Sequence, residues 1–302
     1  MEIDLPEVVR NTAVAAGAEG WLAELPALVG GLTEDWDLTI GEPFGGGTEA
    51  FVVRVDTADH GPAVLKVLVP RSGIDPRHEI TFLRLADGEG CPQLYQADAG
   101  RHALLMERLG PPMSDLGLPL EDRHRLLCAA AQRVWRPAPS AGFPTGAEKG
   151  EWLIRFIRER WTRLDRPCAE RTIEHAVEAA RRRIAAHDEA TAVMVHGDVQ
   201  EWNALRAGDG FELVDPDGLL AEPEYDLGVI MREDPAELLA DDDPTASSWR
   251  RAHRLAAWTG RSAAAAWEWG VVERVSTGLL CEEVGLQPVG RQMLDVADHL
   301  AR

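Results

Sequence analysis

The feature that most constrains the fold is a change of residue pattern at 109–112, where Leu-Gly-Pro-Pro interrupts the chain. Before this break, short apolar or alternating runs separated by glycine- and proline-containing turns predict β-strands, together with one or two helices over 5–29 and a short helix over 77–85. After it, long stretches with apolar residues three and four positions apart predict helices, among them 168–188. We therefore predict an α+β fold in two lobes. A small N-terminal lobe over 1–108 holds an antiparallel sheet and a helix, and a larger, mainly helical C-terminal lobe follows over 109–302.

The chain carries a strong excess of negative charge. Its 302 residues include 51 Asp and Glu against 31 Lys and Arg, a formal net charge of −20. A surface this acidic repels phosphate backbones and anionic lipids, so we expect neither a nucleic acid nor a membrane as partner. The N-terminus lacks the basic and apolar regions of a signal peptide, and no apolar run reaches about 18 residues, the length of a membrane span. These features predict a soluble, cytoplasmic protein, which we expect to be a monomer, with a dimer as the alternative.

The segment 195–203 holds the most informative group of polar residues, in the pattern His-x-Asp-x-x-x-x-Asn. Phosphoryl transfer from ATP needs a carboxylate that orients the acceptor hydroxyl and accepts its proton, and oxygen ligands that hold Mg²⁺ on the phosphates. Asp198 fits the first role. Asn203, five residues later, and Asp215, at the end of the next apolar strand, offer an amide oxygen and a carboxylate for Mg²⁺. Each residue type alone is common in turns, but a loop and a hairpin would bring these three to one end of two strands.

This combination resembles the aminoglycoside phosphotransferase family, which shows H-G-D-x-x-x-x-N followed by a strand that ends in Asp. Two further segments resemble the branch of streptomycin 6-phosphotransferases and hydroxyurea phosphotransferases: V-D-P-x-G at 214–218 and E-R-V-S-T-G-L-L at 273–280. The resemblance extends from about Gly41 to the C-terminal helices. It implies a bilobal protein-kinase-like fold, with ATP as the phosphate donor (GTP is the alternative) and Mg²⁺ as the cofactor.

The resemblance also implies a nucleotide site in the N-terminal lobe. In kinases a lysine on the third strand binds the phosphates and an acid on the next helix holds that lysine; Lys66 and Glu79 match these positions. The alternative is that Lys66 lies on an edge strand and extends its charge into solvent. Because Lys66 is one of only two lysines in the chain, this alternative is less favoured. For Glu79 the alternative is an exposed helix position. The residues that would cover the nucleotide in this family are Gly45, Gly46, Gly47 and Thr48. A triple glycine is equally typical of a flexible hairpin.

The second half of the chain is acidic enough to suit a cationic acceptor. Residues 196–302 contain 21 acids and nine arginines, and the acids are densest in 222–243, which we predict to be a connecting segment. A solvated acidic face is the common explanation, and an acid-lined cleft for a polycationic aminoglycoside is the alternative. The acids expected near the catalytic loop are Glu201, Glu224, Asp226, Glu233 and Asp234.

Three residues in this region carry additional expectations. Trp202 and Asp217 depart from the family pattern, and Trp202 would stack on a cyclic or cationic acceptor, whereas Asp217 adds an acid near the metal ligands. In the family, an Asp in the block that matches 222–228 braces the catalytic loop. Asp226 would have that role here, and a helix N-cap is the alternative.

The sequence thus predicts an enzyme that transfers phosphate from ATP to a hydroxyl of a small cationic acceptor. Streptomycin is the first candidate for the acceptor, with antibiotic resistance as the role. A kinase for another small alcohol or sugar is one alternative, and a catalytically silent nucleotide-binding module is another. The complete set of Asp198, Asn203, Asp215 and Lys66 argues against the silent module.

Overall fold

The chain folds into two units, Met1–Gly110 and Pro111–Arg302, so the division falls inside the Leu-Gly-Pro-Pro break. The computed structural model describes residues 3–45, 47–71, 75–138 and 141–302. An extended sheet forms in the first unit and long helices dominate the second, which confirms the α+β class predicted from the sequence. None of the helices in these ranges combines the length and the apolar content that a membrane span would need.

The first unit is built around one antiparallel sheet. Its elements are α1 (Glu7–Ala15), α2 (Glu19–Asp35), β1 (Leu38–Pro43), β2 (Ala50–Thr57), β3 (Gly61–Leu68), α3 (Pro76–Ala86), β4 (Leu94–Asp98) and β5 (Ala103–Glu107). The strands lie in the order β1-β2-β3-β5-β4. Leu25, Val29 and Leu32 of α2 pack against Val53 of β2 and Leu65 of β3 in one buried cluster. The sheet is therefore held by an apolar helix on one face, and the alternation of β2 and β3 supplies the matching apolar side chains.

The second unit is mainly helical. Its helices are a short 3-10 helix (Met113–Leu116), α4 (Leu120–Val134), α5 (Gly146–Arg163), α6 (Glu170–Ala186), α7 (Glu224–Met231), α8 (Pro235–Leu239), α9 (Pro244–Thr259), α10 (Ala263–Glu283) and α11 (Val289–Leu300). Its strands are β6 (Val193–Val195), β7 (Ala204–Ala207), β8 (Gly210–Leu213) and β9 (Leu219–Ala221). They form two antiparallel pairs, β6 with β9 and β7 with β8. These two pairs carry the segment that contains the predicted catalytic motif.

Helix α10 is the centre of this unit, because it contacts α5, α6, α7, α9 and α11. Its approach to α7 is especially close: a Cβ atom on Gly228 of α7 would lie 2.3 Å from the Cβ of Trp269 in α10. Gly270 is equally constrained, since its Cβ would lie 2.6 Å from the Cβ of Met231. Two glycines thus let the two helices touch backbone to backbone, and this contact determines where the end of α7 lies.

The structure corrects the sequence-based prediction for 222–243. This acidic segment was expected to be a connection but forms α7 and α8. All eight residues of α7 are buried, so the helix has no polar face and no amphipathic pattern that could reveal it. Strands β7 and β9, which the pattern did not predict, have only four and three residues, and alternation cannot be recognised over such a length.

Candidate active site

The backbone around the catalytic motif brings its three predicted residues to one end of the β7–β8 hairpin. Residues 196–203 connect β6 to β7, and Asp215 follows β8. The amide of Val214 donates to the carbonyl oxygen of Asn203 at 2.9 Å, so Asn203 and Asp215 lie at the same end of the hairpin. The amide of Asp217 donates to the carbonyl of His196, also at 2.9 Å. A loop and a hairpin therefore bring together three predicted residues that are up to seventeen positions apart, Asp198 and Asp215 being the most distant pair.

The carboxylate of Asp198 accepts three side-chain hydrogen bonds. Its Oδ2 atom accepts from Gln200 Nε2 at 2.7 Å and from Asn203 Nδ2 at 2.9 Å. Its Oδ1 atom accepts from Arg232 Nη2 at 2.5 Å. Arg232 was not singled out from the sequence, because it lies 34 residues from Asp198 along the chain. Asp198 is thus held in one orientation while remaining partly exposed.

Arg232 is a charged side chain with little exposure, 11%. Besides Asp198, it contacts Glu273 Oε2 at 2.9 Å and Thr277 Oγ1 at 3.2 Å, both on α10. Burial would lower the pKa of Arg232, but the negative charges of Asp198 and Glu273 outweigh burial and raise that pKa above its usual value. The guanidinium is therefore charged throughout the pH range in which an enzyme works.

Asp226 holds the backbone of the predicted catalytic loop through hydrogen bonds. Its carboxylate accepts from the backbone amides of His196 (3.1 Å) and Gly197 (2.8 Å) and from Trp135 Nε1 (2.8 Å). The side chain is fully buried, and this burial raises the pKa of Asp226 although the three hydrogen bonds oppose the rise. The geometry suits a residue that positions the loop and has no contact with a substrate.

Asn203 and Asp215 fit a magnesium ion that takes few protein ligands. The Nδ2 atom of Asn203 donates to Asp198 Oδ2 and to the main-chain oxygen of Asp198, so the Oδ1 atom of Asn203 is directed away from Asp198. Asp215 is exposed and has a φ angle of 60°, in the left-handed region that Asp tolerates. Across the described ranges, no three His, Cys, Asp or Glu side chains form a cluster that could hold a metal. An amide and a carboxylate suffice for Mg²⁺ when phosphate and water oxygens complete its coordination.

The predicted nucleotide residues lie in the first unit. Lys66 Nζ contacts Glu79 Oε1 at 2.6 Å, and both side chains are at most 10% exposed. Lys66 lies on β3, and α3, which carries Glu79, begins where Asp75 accepts a hydrogen bond from the amide of Arg77. Gly45, Gly47 and Thr48 belong to the loop between β1 and β2. Gly46 lies outside the described residues.

A pocket of about 140 Å³ opens beside Asp198 within the second unit. Its polar lining includes Asp217, whose carboxylate contacts Lys149 Nζ at 3.1 Å. The same ammonium lies 5.0 Å from the ring centre of Trp152, an exposed aromatic side chain of α5. The other lining residues are Leu153, Phe156, Gly197, Tyr225, Arg232, Glu273, Ser276, Thr277 and Leu280. Two indications of this lining were present in the sequence: Lys149 is the second of the two lysines, and 273–280 is a segment that resembles the family.

None of the five acids expected near the catalytic loop lines this pocket, whose acidic residues are Asp198, Asp217 and Glu273. Glu201 and Asp234 both pair with Arg123, at 2.5 and 2.9 Å. Glu224 is buried and accepts from the amide of Ser262 at 2.9 Å. Burial raises the pKa of Glu233 to about 8. Trp202, 63% exposed, is not part of the pocket lining.

Similar proteins were found among curated sequences. Residues 36–270 match the family described as aminoglycoside/hydroxyurea antibiotic resistance kinase. A streptomycin 6-kinase from Streptomyces glaucescens is 29% identical over 276 residues, which cover 89% of this chain and 88% of the relative. A hydroxyurea phosphotransferase from Kitasatospora aureofaciens is 30% identical over 239 residues, which cover 74% of this chain and 65% of the relative.

Solved structures of low sequence identity share the fold. Choline kinase LicA from Streptococcus pneumoniae superposes with a TM-score of 0.58 at 14% identity, covering 92% of this chain and 99% of its own. A choline kinase from Cryptosporidium parvum gives 0.56 at 11% identity, with coverage of 89% and 88%. This similarity confirms the protein-kinase-like fold. Because the family match covers most of the chain, the protein belongs to the aminoglycoside/hydroxyurea antibiotic resistance kinase family and is a phosphotransferase.

Proposed function

We propose that the protein transfers the γ-phosphoryl group of ATP, in a Mg²⁺-dependent reaction, to a hydroxyl of a small-molecule acceptor. The observation that carries the proposal is the Asp198 carboxylate, which three side chains hold in one orientation at the wall of a pocket. A fixed, partly exposed carboxylate next to a pocket is what a hydroxyl acceptor needs for its orientation and for removal of its proton.

Each proposed role follows from the chemistry of the residue. Asp198 accepts the hydrogen bond of the acceptor hydroxyl and takes its proton as the new P–O bond forms and the bond from the γ-phosphorus to the bridging oxygen breaks, which releases ADP. Asn203 Oδ1 and the Asp215 carboxylate would hold Mg²⁺, which neutralises phosphate charge when it is bound. Lys66, fixed by Glu79 at 2.6 Å, would bind the phosphates of the nucleotide in the first unit. The amides of Gly45, Gly47 and Thr48 would approach the same phosphates.

An aminoglycoside, with streptomycin as the first candidate, is the proposed acceptor. The relative with the longer match is named as a streptomycin 6-kinase. The pocket beside Asp198 offers groups that recognise cyclic, cationic compounds, namely the Asp217 carboxylate and the Trp152 ring. Inactivation of an antibiotic is the corresponding physiological role.

A second candidate is a small neutral hydroxyl compound such as hydroxyurea. The observation in its favour is that the acids of the pocket already have cationic partners: Arg232 contacts Asp198 and Glu273, and Lys149 contacts Asp217. A polycation would have to compete with these side chains, whereas a neutral acceptor would not. One of the relatives is named as a hydroxyurea phosphotransferase.

The test is a nucleotide-consumption screen with mass analysis of the products. The panel contains streptomycin, other aminoglycosides, hydroxyurea, neutral sugars and amino alcohols, each with ATP and with GTP, and Asp198→Asn serves as the inactive control. The highest kcat/KM for streptomycin, with an acceptor KM that rises steeply with salt, would support the first candidate, because salt screens charges beyond about 8–10 Å. A salt-insensitive KM and preference for hydroxyurea would support the second. Absence of a phosphorylated product from every compound would contradict the proposal.

A further inference from the structure

The end of α7 is held by two buried arginines from other helices. Arg251 of α9 donates to the main-chain oxygens of Met231, at 3.3 Å, and of Glu233. Arg274 of α10 donates to the main-chain oxygens of Arg232, at 3.2 Å, and of Met231. Both side chains are 1% exposed. Guanidinium groups thus satisfy the carbonyls that a helix leaves open at its C-terminus, and they fix the backbone from which the Arg232 side chain projects.

The Arg232 side chain is fixed at its other end as well. One nitrogen of its fork contacts Asp198, and the other contacts Glu273 and Thr277. Glu273 is itself 4% exposed and accepts from the hydroxyl of Tyr225 at 2.6 Å. The planar fork of arginine is suited to joining two carboxylates in a defined geometry. Arg232 therefore links the catalytic loop to α10.

Burying these charged groups costs free energy of folding. Arg232, Arg251 and Arg274 bring three positive charges together in a buried region, and burial followed by the charges of Arg251 and Arg232 lowers the pKa of Arg274 to about 9. Apolar side chains of similar volume are often more stable than buried ions. A cluster of this kind, directed at the loop that carries Asp198, points to a role in the reaction.

The hydrogen bonds also identify which oxygen of Asp198 faces the acceptor. A carboxylate offers about four acceptor positions, two on each oxygen. Oδ2 has two donors, Gln200 and Asn203, whereas Oδ1 has one, Arg232. The remaining position is on Oδ1, and both Asp198 and Arg232 line the pocket.

We propose that Arg232 is a positioning residue: it holds the Asp198 carboxylate so that Oδ1 presents its remaining lone pair to the acceptor hydroxyl. This inference rests on the proposed function of Asp198. Arg232 moves no proton and binds no phosphate in this role. It determines the direction from which the hydroxyl meets the base, and a misplacement of about 1 Å at such a contact costs about 10²-fold in rate.

The test compares substitutions of Arg232 with a matched control. Arg183→Met is the control, because Arg183 is 16% exposed and also bridges two carboxylates, Glu222 and Glu268, away from the pocket. For Arg232→Met we expect kcat with the preferred acceptor to fall about 10²-fold, with acceptor KM and nucleotide affinity nearly unchanged. Arg232→Lys should keep part of the activity. Guanidinium ion added at low concentration should partly restore kcat in Arg232→Ala and have no effect on Asp198→Asn.

Several results would overturn the role of Arg232. One such result is a kcat of Arg232→Met close to or above the wild-type value. Another is a loss of kcat in Arg183→Met as large as the loss in Arg232→Met. If Arg232→Met does not fold, Arg232→Met combined with Glu273→Gln removes both buried charges and is measured in its place. A crystal structure of Arg232→Ala gives a readout that does not depend on the acceptor: an Asp198 carboxylate that keeps its contacts to Gln200 and Asn203 unchanged contradicts the inference. The proposed function is judged separately, by the wild-type screen and Asp198→Asn.

Discussion

Asp198 illustrates how the neighbours of one residue define its chemistry. Two amide donors from its own loop and one guanidinium from a distant helix end leave the carboxylate oriented and partly exposed. The two amides come from residues within five positions, so the sequence already places them close to the carboxylate. The guanidinium arrives through tertiary packing.

Replacing Asp198 with Asn should remove the base without disturbing the fold. The amide has nearly the same shape but cannot take the proton of the acceptor, so we expect kcat to fall by about 10²–10⁴. Nucleotide affinity, measured by calorimetry, should remain close to the wild-type value. Turnover at the wild-type rate would show that another group accepts the proton.

Replacing Asp215 with Ala should abolish most of the Mg²⁺-dependent turnover. The carboxylate is one of two protein oxygens proposed for the ion, and phosphate oxygens alone would hold it poorly. The measurement is a magnesium titration at saturating ATP. Asp209→Ala is the control, because Asp209 is an exposed acid in the turn at the opposite end of the same hairpin. Full activity of Asp215→Ala would contradict the metal site.

At the scale of elements, the contact between α7 and α10 positions the polar groups of the site. Glu224, Asp226 and Arg232 belong to α7 or follow it, and Glu273 belongs to α10. Their separation is set by two glycines that permit backbone contact. A side chain at either glycine would push the helices apart and with them the groups that meet at Asp198.

Gly228→Ala tests this dependence. The added Cβ would lie 2.3 Å from the Cβ and 2.8 Å from the carbonyl carbon of Trp269, so the helices must move. Overpacking of this kind typically lowers the free energy of unfolding by about 1–3 kcal/mol, which urea denaturation would measure. Gly30→Ala in α2 is the control: no atom lies within 4 Å of its Cβ position, and alanine in a helix is favoured over glycine by up to about 1 kcal/mol. Equal stability of the two variants would argue against a tight contact.

At the scale of the whole molecule, folding buries ionisable groups that are ordinarily in water. His124 of α4 is 1% exposed, and burial, with the nearby charges of Arg251 and Arg123, lowers its pKa well below 6.5. The unfolded chain therefore binds a proton near pH 6.5 that the folded chain does not bind. The contribution of His124 to the free energy of unfolding is therefore fully present above about pH 6.5 and is lost as the pH falls toward the pKa of His124 in the folded protein.

The free energy of unfolding should accordingly decrease below about pH 6.5, by up to about 1.4 kcal/mol per pH unit from His124. His124→Gln should show a smaller decrease between pH 7 and pH 5.5. Urea denaturation at several pH values measures the difference, and His253→Gln, at an exposed position on α9, is the control. The same pH dependence in wild type and His124→Gln would contradict the prediction.

What could be read from the residues alone is local. Alternating strands around Lys66, a short helix that carries Glu79, and the spacing of Asp198, Asn203 and Asp215 all lie within segments of about twenty residues, over which backbone geometry restricts where side chains meet. The α+β class, the family and the phosphotransferase class followed from these segments. The direct contacts of Lys66 with Glu79 and of Asp198 with Asn203 have the same local origin.

The partners of these residues were decided by packing. Arg232 reaches Asp198 over 34 positions, Lys149 reaches Asp217 over 68, and Arg232 reaches Glu273 over 41. Helix α7 was missed because it is buried on every side, and most acids expected in an acceptor cleft pair with arginines or lie buried. Hydrophobic burial orders these helices without regard to the charges they carry, so the pattern of charges in the chain cannot show which acid meets which cation. That pairing exists only once α7 and α10 are in contact.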